Sequence, residues 1–153
     1  MKDTTKQYFR QAIKEVLASM VSMTLRDIDA QDLPPIEDPA LNVRIEYQGE
    51  HSGEISIILG EDLASCIARR FLGMDNEGDI LNDMIEDSAR ELANVICGHF
   101  VTLRYGEKPI VKISVPRLFP ISPALFSILS TNEDISSFMV DDQPMLGLVR
   151  MKK

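Results

Sequence analysis

Between Asp79 and Tyr105 the apolar residues Leu81, Ile85, Ala89, Leu92, Ile96, Phe100 and Leu103 recur at steps of three and four. That spacing is the stripe of a helix packed on a core. At about 100° per residue the stripe centres roughly 130° from Glu91, whereas Asn94 and Gly98 fall within about 60° of it. Glu91, Asn94 and Gly98 are therefore predicted to form an outward ridge, and Ile80, Met84 and Asp87 lie close to the same angle. A solvated face would carry uniform charge. This ridge mixes acids, an amide and apolar side chains, which predicts a docking surface.

The remaining pattern is read in the same way. Phe9, Ile13, Val16, Leu17 and Met20 predict an amphipathic first helix over Thr5 to Met23, capped by Asp3 or a neighbouring Thr. Its polar face is not notably basic, so core packing is expected rather than a membrane-surface role. Ala30 to Pro39, with Pro34, Pro35 and Pro39, reads as a connector. Val43, Ile45 and Tyr47 alternate with polar residues, and Ile55, Ile57 and Leu59 alternate again after Gly49–Gly53. These two runs predict an antiparallel hairpin over Val43 to Leu59. Glu61 to Leu72 reads as a short helix stopped by Gly73. The acidic stretch Asp75 to Asp79 looks superficially like a calcium loop, but aligning Gly78 with the required glycine puts Gly73 and Met84 at ligand positions. Neither can ligate calcium, so a turn is expected.

After Gly106, Val111, Ile113 and Val115 alternate as a strand ending at Pro116. Phe138 with Val140, and Met145 to Met151, predict two more strands around Asp141-Asp142-Gln143, while Ile121 to Leu129 fits either a helix or a strand. Strands and helices intermix without a repeated β-α-β crossover. The expected class is α+β, with helices packed on a mostly antiparallel sheet in one domain spanning residues 1–153. No internal repeat or low-complexity segment is present.

Composition narrows the chemistry. With 153 residues and 44% hydrophobic content the chain can bury a sizeable core, since a domain near this size removes about 70% of its unfolded surface from water. Sixteen basic against 24 acidic residues give a net charge of −8, without the dense Lys and Arg cluster that would track nucleic acid phosphates. No apolar run approaches the roughly 20 residues of a membrane span, and the first residues lack a signal core. Cys66 and Cys97 lack CxxC spacing and sit within apolar helical patterns, as reduced packing residues do. A cytoplasmic protein is expected. The histidines are His51 and His99 alone, which excludes a His-rich zinc site. His99 lies about 80° from Glu91, where a structural role is expected. The scattered acids Asp75, Asp79 and Asp87 do not compose a metal shell. No G-x-S-x-G, Walker loop or G-x-G-x-x-G occurs.

Glu91-x-x-Asn94 followed by Gly98, in the frame ELANVICG, resembles the catalytic helix of the CheC/CheX/FliY chemotaxis phosphatases. The order of elements is similar too: an amphipathic helix, a hairpin, a short helix, the motif helix, then a strand ending in a proline. CheC-type proteins carry a second copy of the motif. None is evident here, so the chain is similar to CheX, and nearly its whole length is covered. The resemblance implies a phosphatase acting on the phosphoaspartate of a CheY-like response regulator. It implies that Asn94 orients the attacking water, and that Glu91 pairs with the receiver's active-site lysine. Ile80, Met84, Asp87 and Gly98 would dock the partner. No cofactor of its own is implied, because the receiver supplies magnesium, and the family pairs as homodimers through sheet edges. Two other readings remain open: a receiver-binding adaptor or flagellar switch-type protein without turnover, and a dimeric scaffold. Without the resemblance, Glu91 and Asn94 would pass for solvated residues.

Overall fold

Alternation in the hairpin segment sets the centre of the molecule. Val43, Ile45, Tyr47, Ile55, Ile57 and Leu59 are all fully buried on one sheet face, because successive strand side chains point to opposite sides. The computed structural model describes residues 2–74, 79–106 and 111–152. The turn expected at residues 75–78 lies outside them. Along the chain run α1 (Lys2–Val21), β1 (Leu25–Asp27), β2 (Ala40–Gly49), β3 (Ser52–Gly60), α2 (Glu61–Phe71), α3 (Asn82–Tyr105), β4 (Val111–Ile113), β5 (Arg117–Ile121), α4 (Pro123–Ser130), β6 (Ser136–Val140) and β7 (Gln143–Lys152). The strands form one antiparallel sheet in the order β1-β6-β7-β3-β2-β4, and β5 pairs with the first half of β2. The fold is thus α+β, with helices on an antiparallel sheet.

The helices α1, α2 and α3 cover one face. Phe9 and Ile13 of α1, Leu63 and Ile67 of α2, and Leu92, Ile96 and Phe100 of α3 share one buried cluster with the hairpin residues. Phe100 is its hub. Its ring meets Phe9 edge-on at 5.9 Å and Tyr47 at 6.2 Å, so a single aromatic joins the motif helix to both α1 and the central strand. At the far end of α3 the hydroxyls of Tyr47 and Tyr105 lie 2.7 Å apart, and His51 stacks on the Tyr105 ring at 4.0 Å. Arg70 of α2 donates to the carbonyls of Val21 and Ser22 at the end of α1 and ion-pairs with Asp141 in the β6–β7 turn. On the opposite face α4 covers only part of the sheet, through Phe126 against Ala40, Ile58, Ile121 and Leu146.

Several boundaries differ from those read from the sequence. The first helix starts at Lys2, which places Thr4 and Thr5 inside it, not at a cap; Thr5 is buried. The motif helix starts at Asn82, with Leu81 before its first turn and 70% exposed. Leu81 therefore does not belong to the core stripe. The strand after Gly106 ends at Ile113, and Val115 is 82% exposed. Two strands carry no local pattern of their own: β1 is only three residues long, and β5 contains Pro120. The ambiguous stretch divides at Ser122, whose side chain accepts from the Leu125 N–H while Pro123 opens α4, a start signal with a defined mechanism.

Two outcomes follow. A Cβ built at Gly53 would lie 2.6 Å from the Arg150 carbonyl oxygen and collide with the buried Tyr47 hydroxyl. Gly53→Ala should therefore destabilise the protein by about 1–3 kcal/mol through overpacking, read by denaturant unfolding. Glu15 of α1 accepts from His99 of α3 at 3.0 Å. That hydrogen bond, followed by one from Gln11, holds its carboxyl below the usual 4.5. A depressed carboxylate pKa contributes stability that is present above the unfolded value and lost as pH falls through the folded one. Glu15→Gln should therefore flatten the stability profile below about pH 4.5, followed by thermal unfolding across pH.

Candidate functional site

The ridge of α3 is built from the inside out. Ala89, Leu92, Ala93, Ile96, Cys97 and Phe100 are buried beneath it, and burial of this stripe fixes how the helix is rotated. Glu91 and Asn94 consequently face solvent. Being three residues apart, they are neighbours on the helix surface. Neither makes a hydrogen bond or ion pair with another described residue. Both polar groups are presented free, on a helix whose opposite side is locked.

Met84 and Asp87 share this exposed face. Asp87 is ion-paired with Arg90 at 3.2 Å, and Arg90 also reaches Glu86 at 3.5 Å. Exposed pairs of this kind add only about 0.3–0.5 kcal/mol each; their effect is to engage Arg90 away from Glu91. Ile80 lies before the helix begins, so helical phase does not place it on the ridge, contrary to the sequence reading. Gly98 sits one turn beyond Asn94, and a Cβ added there would meet nothing within 4 Å. Close packing between helices, the internal explanation for a mid-helix glycine, is therefore absent among the described residues. Thr102 extends the ridge. Its hydroxyl donates to the Gly98 carbonyl at 3.0 Å, and its angle, about 20° from that of Glu91, could have been read from the same periodicity.

The histidines and the buried cysteine of this helix region are committed elsewhere. His99 is bound to Glu15 and His51 is stacked on Tyr105. Burial pushes the Cys97 thiol up to about 12, so it is not a nucleophile at neutral pH. Among the described residues no cluster of three or more His, Cys, Asp or Glu could hold a metal, and no helix is long and apolar enough to cross a membrane. The arrangement can therefore insert an acid and an amide, side by side, into a pocket supplied by something else.

Comparison with known proteins agrees with the motif and the fold. The profile of the family described as "Chemotaxis phosphatase CheX" matches residues 41–135, which contain the hairpin, α2, the ridge and β5. No curated protein matches. Among solved structures the chain is similar to the chemotaxis protein CheX of Desulfovibrio desulfuricans, with TM-score 0.71, 13% identity, and coverage of 97% of this chain and 99% of that one. It is similar to CheX of Vibrio vulnificus, with TM-score 0.69, 18% identity and 99% of each chain covered. A third is the CheX of Borrelia burgdorferi, solved in complex with CheY, BeF3 and magnesium, with TM-score 0.62, 19% identity and 97% of each chain covered. By its Glu91-x-x-Asn94 helix, its sheet order and a profile match spanning most of its length, this chain belongs to the CheX family of chemotaxis phosphatases.

Proposed function

We propose that this protein hydrolyses the phosphoaspartate of a CheY-type receiver domain, with Asn94 orienting the attacking water and Glu91 anchoring the partner. The observation that carries this reading is the free presentation of Glu91 and Asn94, side by side and without an internal partner, on a helix rigidly packed beneath. An acyl phosphate is already reactive. What it lacks is a water held in line and shielded from bulk solvent. An amide suits that task, because its carbonyl oxygen accepts a proton-bearing bond from water while its NH2 donates to a phosphoryl oxygen. Water then attacks phosphorus, the bond to the aspartyl oxygen breaks, and the receiver regains its carboxylate. Glu91 would pair with the receiver's lysine and thereby fix the depth to which Asn94 enters. Magnesium, in this reading, is held by the receiver and neutralises phosphoryl charge there.

Met84, Asp87 and Gly98 form the docking ridge, with Ile80 beside its start. The glycine supports this role specifically. It costs about 1 kcal/mol of helix propensity relative to alanine, and among the described residues no neighbour requires it, so a close approach by a partner backbone accounts for it. Two copies would pair through a sheet edge: β6 pairs only with Gln143–Gly147 of β7, so among the described residues Leu148–Lys152 keep one unpaired side.

Phosphate release from a phosphorylated CheY-type receiver tests the activity. The parent protein should accelerate release, and Asn94→Ala should lower the rate about a hundredfold or more while leaving receiver binding largely intact. Glu91→Ala should weaken binding as well. Binding without release would identify an adaptor instead, and an undiminished rate in Asn94→Ala would remove that residue from the mechanism. Gly98→Ala separates docking from folding: unfolding should show a gain of up to about 1 kcal/mol, and receiver affinity should fall. A variant that is stabilised and still binds normally would show that Gly98 has no part in docking.

A further inference from the structure

On the sheet face turned away from α1, α2 and α3, directly opposed residues include two like-charged pairs. Glu46 opposes Glu54, and Lys152 closes on both at 3.8 and 3.9 Å. In the adjacent row Arg44 opposes Arg117 on β5 and has Ser56 on its other side. Like charges directly opposite destabilise an antiparallel pair, and the glutamates show a cation meeting that cost. The arginines have no such answer. Neither makes an ion pair or hydrogen bond with a described residue, although the chain carries 24 acids. Arg44 leans over the Phe119 ring at 5.7 Å, and Phe119 opposes Asn42, in the row on the far side from Glu46.

Beside this pair opens a cleft of about 330 Å³ lined by Arg44, Glu46, Ser114, Val115, Pro116 and Arg117. Its size falls at the lower end of small-molecule sites, roughly 300–1,000 Å³. We infer that Arg44 and Arg117 form a binding site for a small phosphate-bearing anion. Opposed residues hold their Cβ atoms about 4.5–5.5 Å apart, so with Arg44 turned from the Phe119 ring toward the cleft two guanidinium forks can close on one phosphoryl group from adjacent strands, each with two parallel N–H donors. A ligand there supplies the missing counter-charge, and Val115 and Pro116 offer an apolar wall to its uncharged part. Glu46 also borders the cleft, and the Lys152 ammonium 3.8 Å from its carboxylate offsets its repulsion of an anion there. This site lies across the sheet from the α3 ridge and does not depend on how that ridge is read.

Calorimetric titration with pyrophosphate and inorganic phosphate, at matched low ionic strength, tests the site on the whole protein. Saturable one-to-one binding of pyrophosphate is expected, weaker for phosphate, and at least tenfold weaker in Arg117→Gln and in Arg44→Gln. Unliganded Arg117→Gln should unfold at the same or a higher temperature than the parent, most clearly at low salt, where repulsion is least screened. Absence of saturable binding, or affinity unchanged in both variants, would overturn the site. So would a lower unfolding temperature in Arg117→Gln, which would show the arginine serving the sheet itself. Citrate binding as tightly as pyrophosphate would overturn the assignment to phosphate.

Discussion

The contact of Phe100 with Phe9 and Tyr47 is the interaction on which the rest depends. It is made by the motif helix with the first helix and the central strand together. Removing the ring would leave a cavity under α3, with a loss of about 3–5 kcal/mol on general grounds. More to the point, it would release the rotation of the helix. A turn of one residue's width, about 100°, would take Glu91 and Asn94 off the outer face. The polar pair has no bond to another described residue to hold it in place; its aim comes from what is buried behind it. That division between a packed back and an unencumbered front is what a site needs when its other half is provided by another molecule.

The tyrosine pair extends the same logic to the end of the helix. Burial, reinforced by the hydrogen bond with Tyr105, raises the Tyr47 pKa far beyond its ordinary value, so this tie stays neutral throughout the physiological range. Between α1 and α3 the tie is a more exposed hydrogen bond, between the Glu15 carboxylate and His99. The motif helix is thus held by an aromatic contact at its middle, by a neutral hydrogen bond at one end and by a titratable one on its flank. Only the last responds to acid.

Much of this was legible in the sequence where periodicity spans several turns. The phase of α3 could be read because Leu92, Ile96 and Phe100 repeat over three turns, and the hairpin because two alternating runs face each other across Gly49–Gly53. Legibility failed where tertiary pairing outweighs local pattern. β5 is a strand because β2 offers its unpaired half to residues 117–121, not because Leu118-Phe119-Pro120 alternates, and β1 is too short to show a period. At the start of α3 the failure ran the other way: Leu81 matches the spacing by chance, although the helix begins only at Asn82. The ridge could be placed from sequence, but what it meets could not, since neither Glu91 nor Asn94 touches a described residue that would reveal its partner.

Pro120 has one more consequence. A proline lacks the N–H that a neighbouring strand would use, and it is confined to edges for that reason. β5 therefore cannot be lengthened into a wider sheet through its full span, and β1, at three residues, offers little more. The free stretch at Leu148–Lys152 is different, for its backbone carries an uninterrupted row of donors and acceptors. Two such stretches meeting antiparallel would be related by a two-fold axis, and each would use up the other's free length. A pairing of that kind would close on itself, so growth by this route would stop at two chains.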